Sequence, residues 1–183
     1  GHPGNYNSSA NFSTNAKFKN DCWSNSIMSY FDQSENTNIK ADKASQSTFM
    51  AVDLLALDDL YGSQSFGDKT FGSSNAFAGN TTYGFKTTIS ASDDDVLSNL
   101  SKNADTRVFC IVDGAGNDTL DFSGWSADQL INLAVTNSSD TAPTTSNIAG
   151  LKGNLSLAGN TVIENAKGGS GNDIIKGNRY ENN

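Results

Sequence analysis

Gly168-Gly169-Ser170-Gly171-Asn172-Asp173-Ile174-Ile175-Lys176 is the stretch that decides the fold. It fits the nonapeptide G-G-x-G-x-D-x-U-x, with Asp173 at the acidic position and Ile175 as the large apolar residue. A looser copy lies upstream, Asp113-Gly114-Ala115-Gly116-Asn117-Asp118-Thr119-Leu120, in which Asp113 replaces the first glycine. The spacing has a physical logic. Glycines let the chain turn tightly enough for backbone carbonyls to converge, and the aspartate adds a charged oxygen. The apolar residue that follows starts a short strand whose side chain points inward. One unit alone cannot bury that face, so successive units must stack, which predicts a parallel β-roll. A Gly-Asn-Asp hairpin turn without an ion is the competing reading of either copy. Two copies in an aspartate-rich chain favour calcium.

The composition points the same way. The chain has 183 residues, with 12 Lys and Arg against 20 Asp and Glu, for a net charge of −8. Seventeen of the acids are Asp, and the three Glu are Glu35, Glu164 and Glu181. Asn, Ser, Thr and Gly together make up 79 residues, a bias toward turns over long helices, because short polar side chains compete for backbone hydrogen bonds. With 36% hydrophobic residues and 10 Phe, the chain still has enough apolar material for a core. The acidic balance argues against nucleic acid as a partner, since phosphate binding needs a surplus of Lys and Arg. No apolar run approaches the roughly 18 residues of a membrane-spanning helix. A chain rich in carboxylate and carbonyl oxygen suits calcium, a hard cation.

Two textures divide the chain near residues 62–65, giving expected units at 1–62 and 63–183. The first ends in TFMAVDLLALDDLY, residues 48–61, which predicts a helix capped by Ser47 or Thr48, with Gly62 in a left-handed C-terminal position. Phe49, Val52, Leu55, Ala56 and Leu60 recur at helical spacing, and Leu54 and Leu57 widen the stripe, so the helix is expected to pack inside a domain. The second unit is β-like, with strand candidates at 107–112, 130–135, 151–157 and 161–164. Asp93-Asp94-Asp95 reads as a solvated loop or a helix start, and Trp23 and Trp125 as packing residues. Cys22 and Cys110 are 88 positions apart, leaving two buried thiols and one disulfide both open.

The N-terminal unit carries three further motifs in order: His2-Pro3-Gly4-Asn5-Tyr6-Asn7, then Ser26-Ile27-Met28-Ser29-Tyr30, then the helix ending Leu60-Tyr61-Gly62. With the nonapeptide behind them, these resemble the serralysin family of secreted bacterial metzincin metalloproteases, along the whole chain. That family's zinc motif, H-E-x-x-H-x-x-G-x-x-H, has its third histidine followed by P-G-x-Y-N, and its Met-turn reads S-I-M-S-Y. The resemblance implies an α+β, mostly β fold: the C-terminal part of a metzincin catalytic domain at 1–62, then a calcium-binding parallel β-roll of the RTX type. It also implies an extracellular, monomeric, zinc-dependent and calcium-stabilised endopeptidase acting on proteins and peptides, with no nucleic acid and no membrane as partner.

Carried over by position, His2 resembles the third ligand of the one catalytic zinc. Tyr30 resembles the tyrosine that ligates zinc and later stabilises the oxyanion, and Met28 the methionine beneath the site. Several structural calcium ions would be held by Phe77, Gly79 and Thr81 facing Asp113, Ala115, Gly116 and Asp118. Val162, Glu164, Gly169, Gly171 and Asp173 would supply the neighbouring ions. Phe77 stands where the family has arginine, which suits binding through the carbonyl, and Gly67-Asp68 offers a competing alignment for the same loop. The chain holds one histidine and no H-E-x-x-H, so it reads as an excerpt of a longer protein and is expected to be inactive by itself. The alternatives are a non-enzymatic, calcium-dependent extracellular β-roll binding module and a structural segment of a larger adhesin or toxin.

Overall fold

The computed structural model describes residues 6–137 and 144–182. His2, the expected zinc ligand, lies outside the described residues. Among those described, short strands dominate and helices are few: α1 (Phe12–Asn15), α2 (Ala51–Tyr61), α3 (Asp95–Ser98) and α4 (Leu100–Asn103). The strands are β1 (Ser45–Gln46), β2 (Gln64–Phe66), β3 (Lys69–Phe71), β4 (Thr82–Gly84), β5 (Arg107–Ile111) and β6 (Thr119–Asp121), followed by β7 (Leu130–Asn132), β8 (Thr145–Ile148), β9 (Leu151–Leu157), β10 (Asn165–Lys167) and β11 (Ile174–Lys176). The chain is therefore mostly β.

Three sheets form. One runs β1-β5-β9-β8-β7-β11, with β8 antiparallel to its neighbours β7 and β9 and the remaining pairs parallel. The second, β10-β6-β4, is parallel throughout, with Tyr83, Leu120 and Ala166 in one register row. The third is the exposed β2–β3 hairpin, turned by Gly67-Asp68. Each strand of the parallel sheet follows a polar turn, so stacking the strands also stacks the turns. Between the sheets lies the main core, where Tyr83, Phe109, Leu120, Phe122, Ile131 and Leu155 are almost completely buried. Burial of this kind contributes about 1.5–3 kcal/mol per large side chain, which lets many short strands hold together.

Several expectations change. Helix α2 begins at Ala51, after Met50, because Asp53 Oδ2 accepts from Met50 N–H and closes the N-terminus. Thr48 cannot cap it, since its hydroxyl accepts the Cys110 N–H of β5 at 2.7 Å. Gly62 has positive φ (+57°), but its ψ of −152° is not left-handed helical. The helix is less enclosed than its apolar stripe implies. Ala51 is buried, Leu54 packs toward Met50 and Val108, and Val52, Leu55, Leu57 and Leu60 remain exposed. Residues 161–164 form no strand; their side chains brace the neighbouring turn, with Thr161 Oγ1 and Glu164 Oε2 accepting the N–H groups of Asp113 and Asp118. Asp94 caps α3 by accepting from Leu97 N–H, and both cysteines are free, buried thiols.

Candidate metal centre

The 113–118 turn closes onto the 77–81 loop just before β6 pairs with β4. Asp118 Oδ1 accepts the Thr81 N–H at 2.7 Å, Asn80 Oδ1 accepts the Asn117 N–H at 3.0 Å, and Thr119 N–H donates to the Thr81 carbonyl at 2.9 Å. The Thr81 hydroxyl lies 3.0 Å from the Gly79 carbonyl oxygen and 3.4 Å from that of Phe77, so three oxygens of the loop are gathered together. Phe77 holds φ at +47°, a strained conformation for a bulky residue and of a kind that clusters at ligand sites. Gly116 is needed for the approach. A Cβ there would lie 2.5 Å from the Gly79 oxygen and 2.7 Å from Asp118 Oδ1.

The carboxylates crowd the same place. Asp113 and Asp118 are 5% and 1% exposed. Asp113 Oδ1 accepts from Ala115 N–H at 3.1 Å, and Asp113 Oδ2 accepts the Tyr83 hydroxyl at 2.7 Å. Burial and the negative charge of Asp118 push the Asp113 carboxyl up to about 7, against the opposing Tyr83 hydrogen bond. Burial likewise raises Asp118, and the Glu164 carboxylate adds to the rise. Glu164 Oε2 accepts the Asp118 N–H at 2.8 Å, and Val162 lies between Thr161 and Glu164 in the segment that supports the turn. Asp118 Oδ2 is buried without a hydrogen-bond partner among the described residues. A charged oxygen left bare in this way costs several kcal/mol unless a cation meets it.

That donor set fits calcium. It offers the bare buried oxygen of Asp118, the Asp113 carboxyl held above its usual ionisation range, and gathered carbonyls for an ion that takes roughly six to eight oxygens. Among the described residues no three His, Cys, Asp or Glu side chains form a metal-holding group, so much of the shell would be backbone. Zinc differs. Tyr30 is the one zinc candidate among the described residues, and zinc requires about three protein ligands. The described residues do not by themselves make up a zinc shell.

The other sequence candidates sit elsewhere. Gly169, Gly171 and Asp173 face the 122–129 segment: Asp173 accepts from Gln129 N–H at 2.9 Å and Gly169 N–H at 2.6 Å. The 26–30 turn is anchored to α2 by Asp53, which accepts Ser26 Oγ–H at 2.7 Å and Ile27 N–H at 2.9 Å while holding Met50. Met28 and Tyr30 are 57% and 45% exposed, and the Tyr30 ring lies 6.3 Å from that of Tyr6. An open pocket of about 540 Å³, lined by Tyr6, Lys17, Phe18, Asp21 and Ser29, borders this turn. Sequence reasoning missed Asp53, Tyr83 and Asn80. Asn80 and Tyr83 lie in the 78–85 stretch that contains the loop already singled out, and Asp53 in the first turns of the expected helix, so each carried a positional signal but none an assigned role.

A polar, parallel-stranded domain with oxygen-lined turns defines the class, and the comparisons define the family. Residues 72–181 match the family Peptidase M10 serralysin C terminal, and the chain belongs to it. It is 42% identical over 187 residues to Metallopeptidase AprA of Pseudomonas marginalis, covering 99% of this chain and 35% of that protein. Serralysin of Proteus mirabilis is 36% identical over 183 residues, covering 99% of this chain and 33% of that protein. The chain thus spans about a third of the length of the curated relatives it matches. Among the described residues no helix is long and apolar enough to cross a membrane.

Proposed function

We propose that this chain is part of a secreted, zinc-dependent and calcium-stabilised metalloendopeptidase that hydrolyses peptide bonds of extracellular proteins. In this reading residues 1–62 close the catalytic domain and residues 63–183 begin an RTX-type β-roll. The observation that carries the calcium half is the bare, buried Oδ2 of Asp118, the carboxylate whose Oδ1 holds the Thr81 N–H of the 77–81 loop. Calcium, when bound, supplies the positive charge that this cluster of carboxylates lacks. Phe77 and Gly79 would bind through their carbonyls, with Thr81, Asp113, Ala115, Gly116 and Asp118 completing that shell. Val162 and Glu164 would extend it toward a neighbouring ion, and Gly169, Gly171 and Asp173 would act in the next turn. Stacked turns then keep β4, β6 and β10 in register.

The protease half rests on the family and on the 26–30 turn. Asp53 fixes that turn to α2, so the Tyr30 hydroxyl would be presented from a rigid support, positioned to donate to a carbonyl oxygen as its charge develops. His2 and Tyr30 would serve the zinc ion, with the other ligands supplied from a preceding segment. Joining this chain behind a serralysin segment that carries H-E-x-x-H should give casein cleavage that a zinc chelator abolishes. Metal-dependent cleavage by the 183 residues alone would overturn the assignment. Calorimetric calcium titration tests the other half, with no heat of binding as the refuting result.

A further inference from the structure

The Tyr30 side chain is 45% exposed, so packing fixes only part of it and its placement depends on the backbone on either side. One residue holds that backbone at both flanks. The Trp23 indole Nε1–H donates to the Ser29 carbonyl at 3.1 Å, and the Trp23 backbone N–H donates to the Phe31 carbonyl at 3.0 Å. The two flanking residues have further anchors. Ser29 Oγ–H donates to Asp21 Oδ1 at 2.7 Å, and the same oxygen accepts the Phe31 N–H at 3.1 Å. Phe31 is fully buried, with its ring 5.7 Å from that of Tyr6 and 5.6 Å from that of Phe12. Trp23 thus brackets Tyr30, with one donor on the residue before it and one on the residue after.

The bracket is itself held by a sheet. Gln46 Nε2–H donates to the Trp23 carbonyl at 3.2 Å and to the Ser26 carbonyl at 3.3 Å, so one side chain ties both ends of the 23–26 segment. Gln46 lies on β1, in register with Val108 of β5. Lys43 Nζ stands 5.7 Å from the centre of the Trp23 ring and is kept there by the Asp32 carboxylate at 2.8 Å. We propose that Trp23 is the positioning residue for Tyr30. Its indole N–H fixes the Ser29 carbonyl, and Gln46 passes the position of β1 and β5 on to the turn.

The role rests on the reading of Tyr30 as the hydroxyl that meets a developing oxyanion, and it differs from plain packing in one atom. Packing uses the indole for its apolar area, much of which phenylalanine retains. Positioning uses the Nε1–H, which phenylalanine lacks. Loss of one neutral hydrogen bond that acts fully in the transition state lowers a rate about 2- to 10-fold. The loss cannot exceed that of Tyr30→Phe, because Trp23 acts only through Tyr30. Ground-state binding of substrate does not use the bond, so KM should stay within about twofold while kcat falls.

A double-mutant cycle on the chain joined behind the H-E-x-x-H segment tests this. Trp23→Phe alone should lower kcat about 2- to 10-fold with zinc content unchanged. Added to Tyr30→Phe it should cost nothing further, because the hydroxyl it positions is already gone. An additive loss would make Trp23 a structural residue and overturn the proposal, as would an unchanged kcat in Trp23→Phe while Tyr30→Phe is impaired. An unchanged kcat in Tyr30→Phe would instead remove the reading of Tyr30, and the positioning role with it. A second measurement needs no activity. In the 183-residue chain with calcium, hydrogen exchange at the Ser29 and Phe31 amides should quicken several-fold in Trp23→Phe, with the β5 amides unchanged. Gln46→Leu, which leaves the indole in place and frees the Trp23 carbonyl, should shift the same two amides and lower kcat in the same direction, so the test stands even where Trp23→Phe does not fold. Exchange at Ser29 and Phe31 that is unmoved in the folded variants would overturn the bracket.

Discussion

Replacing Asp118 with asparagine should stabilise the protein without calcium and destabilise it, relative to wild type, with calcium. The amide retains an acceptor for the Thr81 N–H but removes the charge that adds to the burial of Asp113. Asp113 is pushed from the ordinary carboxylate range to about 7, roughly three pH units at about 1.4 kcal/mol each. The folded state therefore holds its proton more tightly than the unfolded chain between about pH 4 and pH 7. Stability from this group is full below that window and falls as pH rises through it, by up to about 4 kcal/mol at pH 8. Burial is the largest cause and remains in the variant, so Asp118→Asn should recover about 1–2 kcal/mol of this at pH 8 and flatten the pH profile. Calcium reverses the order, because binding to the folded state alone adds about 2.7 kcal/mol at a hundredfold excess over Kd, a gain the variant should lose. Urea unfolding followed by circular dichroism at pH 5 and pH 8, in chelator and in excess calcium, reads all four values. An asparagine variant no more stable than wild type in chelator at pH 8, or one with an undiminished calcium gain, would refute the reasoning.

Gly116→Ala should weaken calcium binding and cost about 1–3 kcal/mol, since its Cβ must push aside the Gly79 carbonyl and Asp118; calorimetry and urea unfolding measure the two effects. Asp53→Ala removes two hydrogen bonds that tie the 26–30 turn to α2 and a third that closes the helix N-terminus at Met50, a loss of about 2–4 kcal/mol, visible as faster limited proteolysis within that turn and earlier unfolding. In a chain joined to the H-E-x-x-H segment, Tyr30→Phe should lower kcat roughly 10- to 1000-fold while zinc content, measured by metal analysis, stays unchanged.

The turns were legible because their residues are special. Glycine spacing, an aspartate at a fixed offset and an apolar residue after it located the turns before β6 and β11. The ordered motifs around residues 2–7, 26–30 and 60–62 carried the family, which the comparisons bear out. The start of α2 was misplaced because Thr48 looked like a cap from sequence alone, while its hydroxyl bonds Cys110, 62 positions away. β8, Thr145–Ile148, was missed because its sequence, TSNI, has too little apolar character to mark a strand.

What the sequence alone determined is which segments turn and which residues bring oxygen to those turns. Which turn meets which loop was decided only by the tertiary structure. Gly67-Asp68 and the 77–81 loop were both compatible with the 113–118 turn, and the fold spends the former on the β2–β3 hairpin while pairing β4 with β6. The contacts that settle the choice, such as Thr81 N–H to Asp118 and Gln129 N–H to Asp173, span 37 and 44 residues and use the backbone on one side. Every residue but proline carries the same N–H and C=O, so half of each contact leaves no mark on the residue type. Burial of Tyr83, Leu120 and Ile131 fixes the strand register, and the register then selects which backbone groups face the carboxylates.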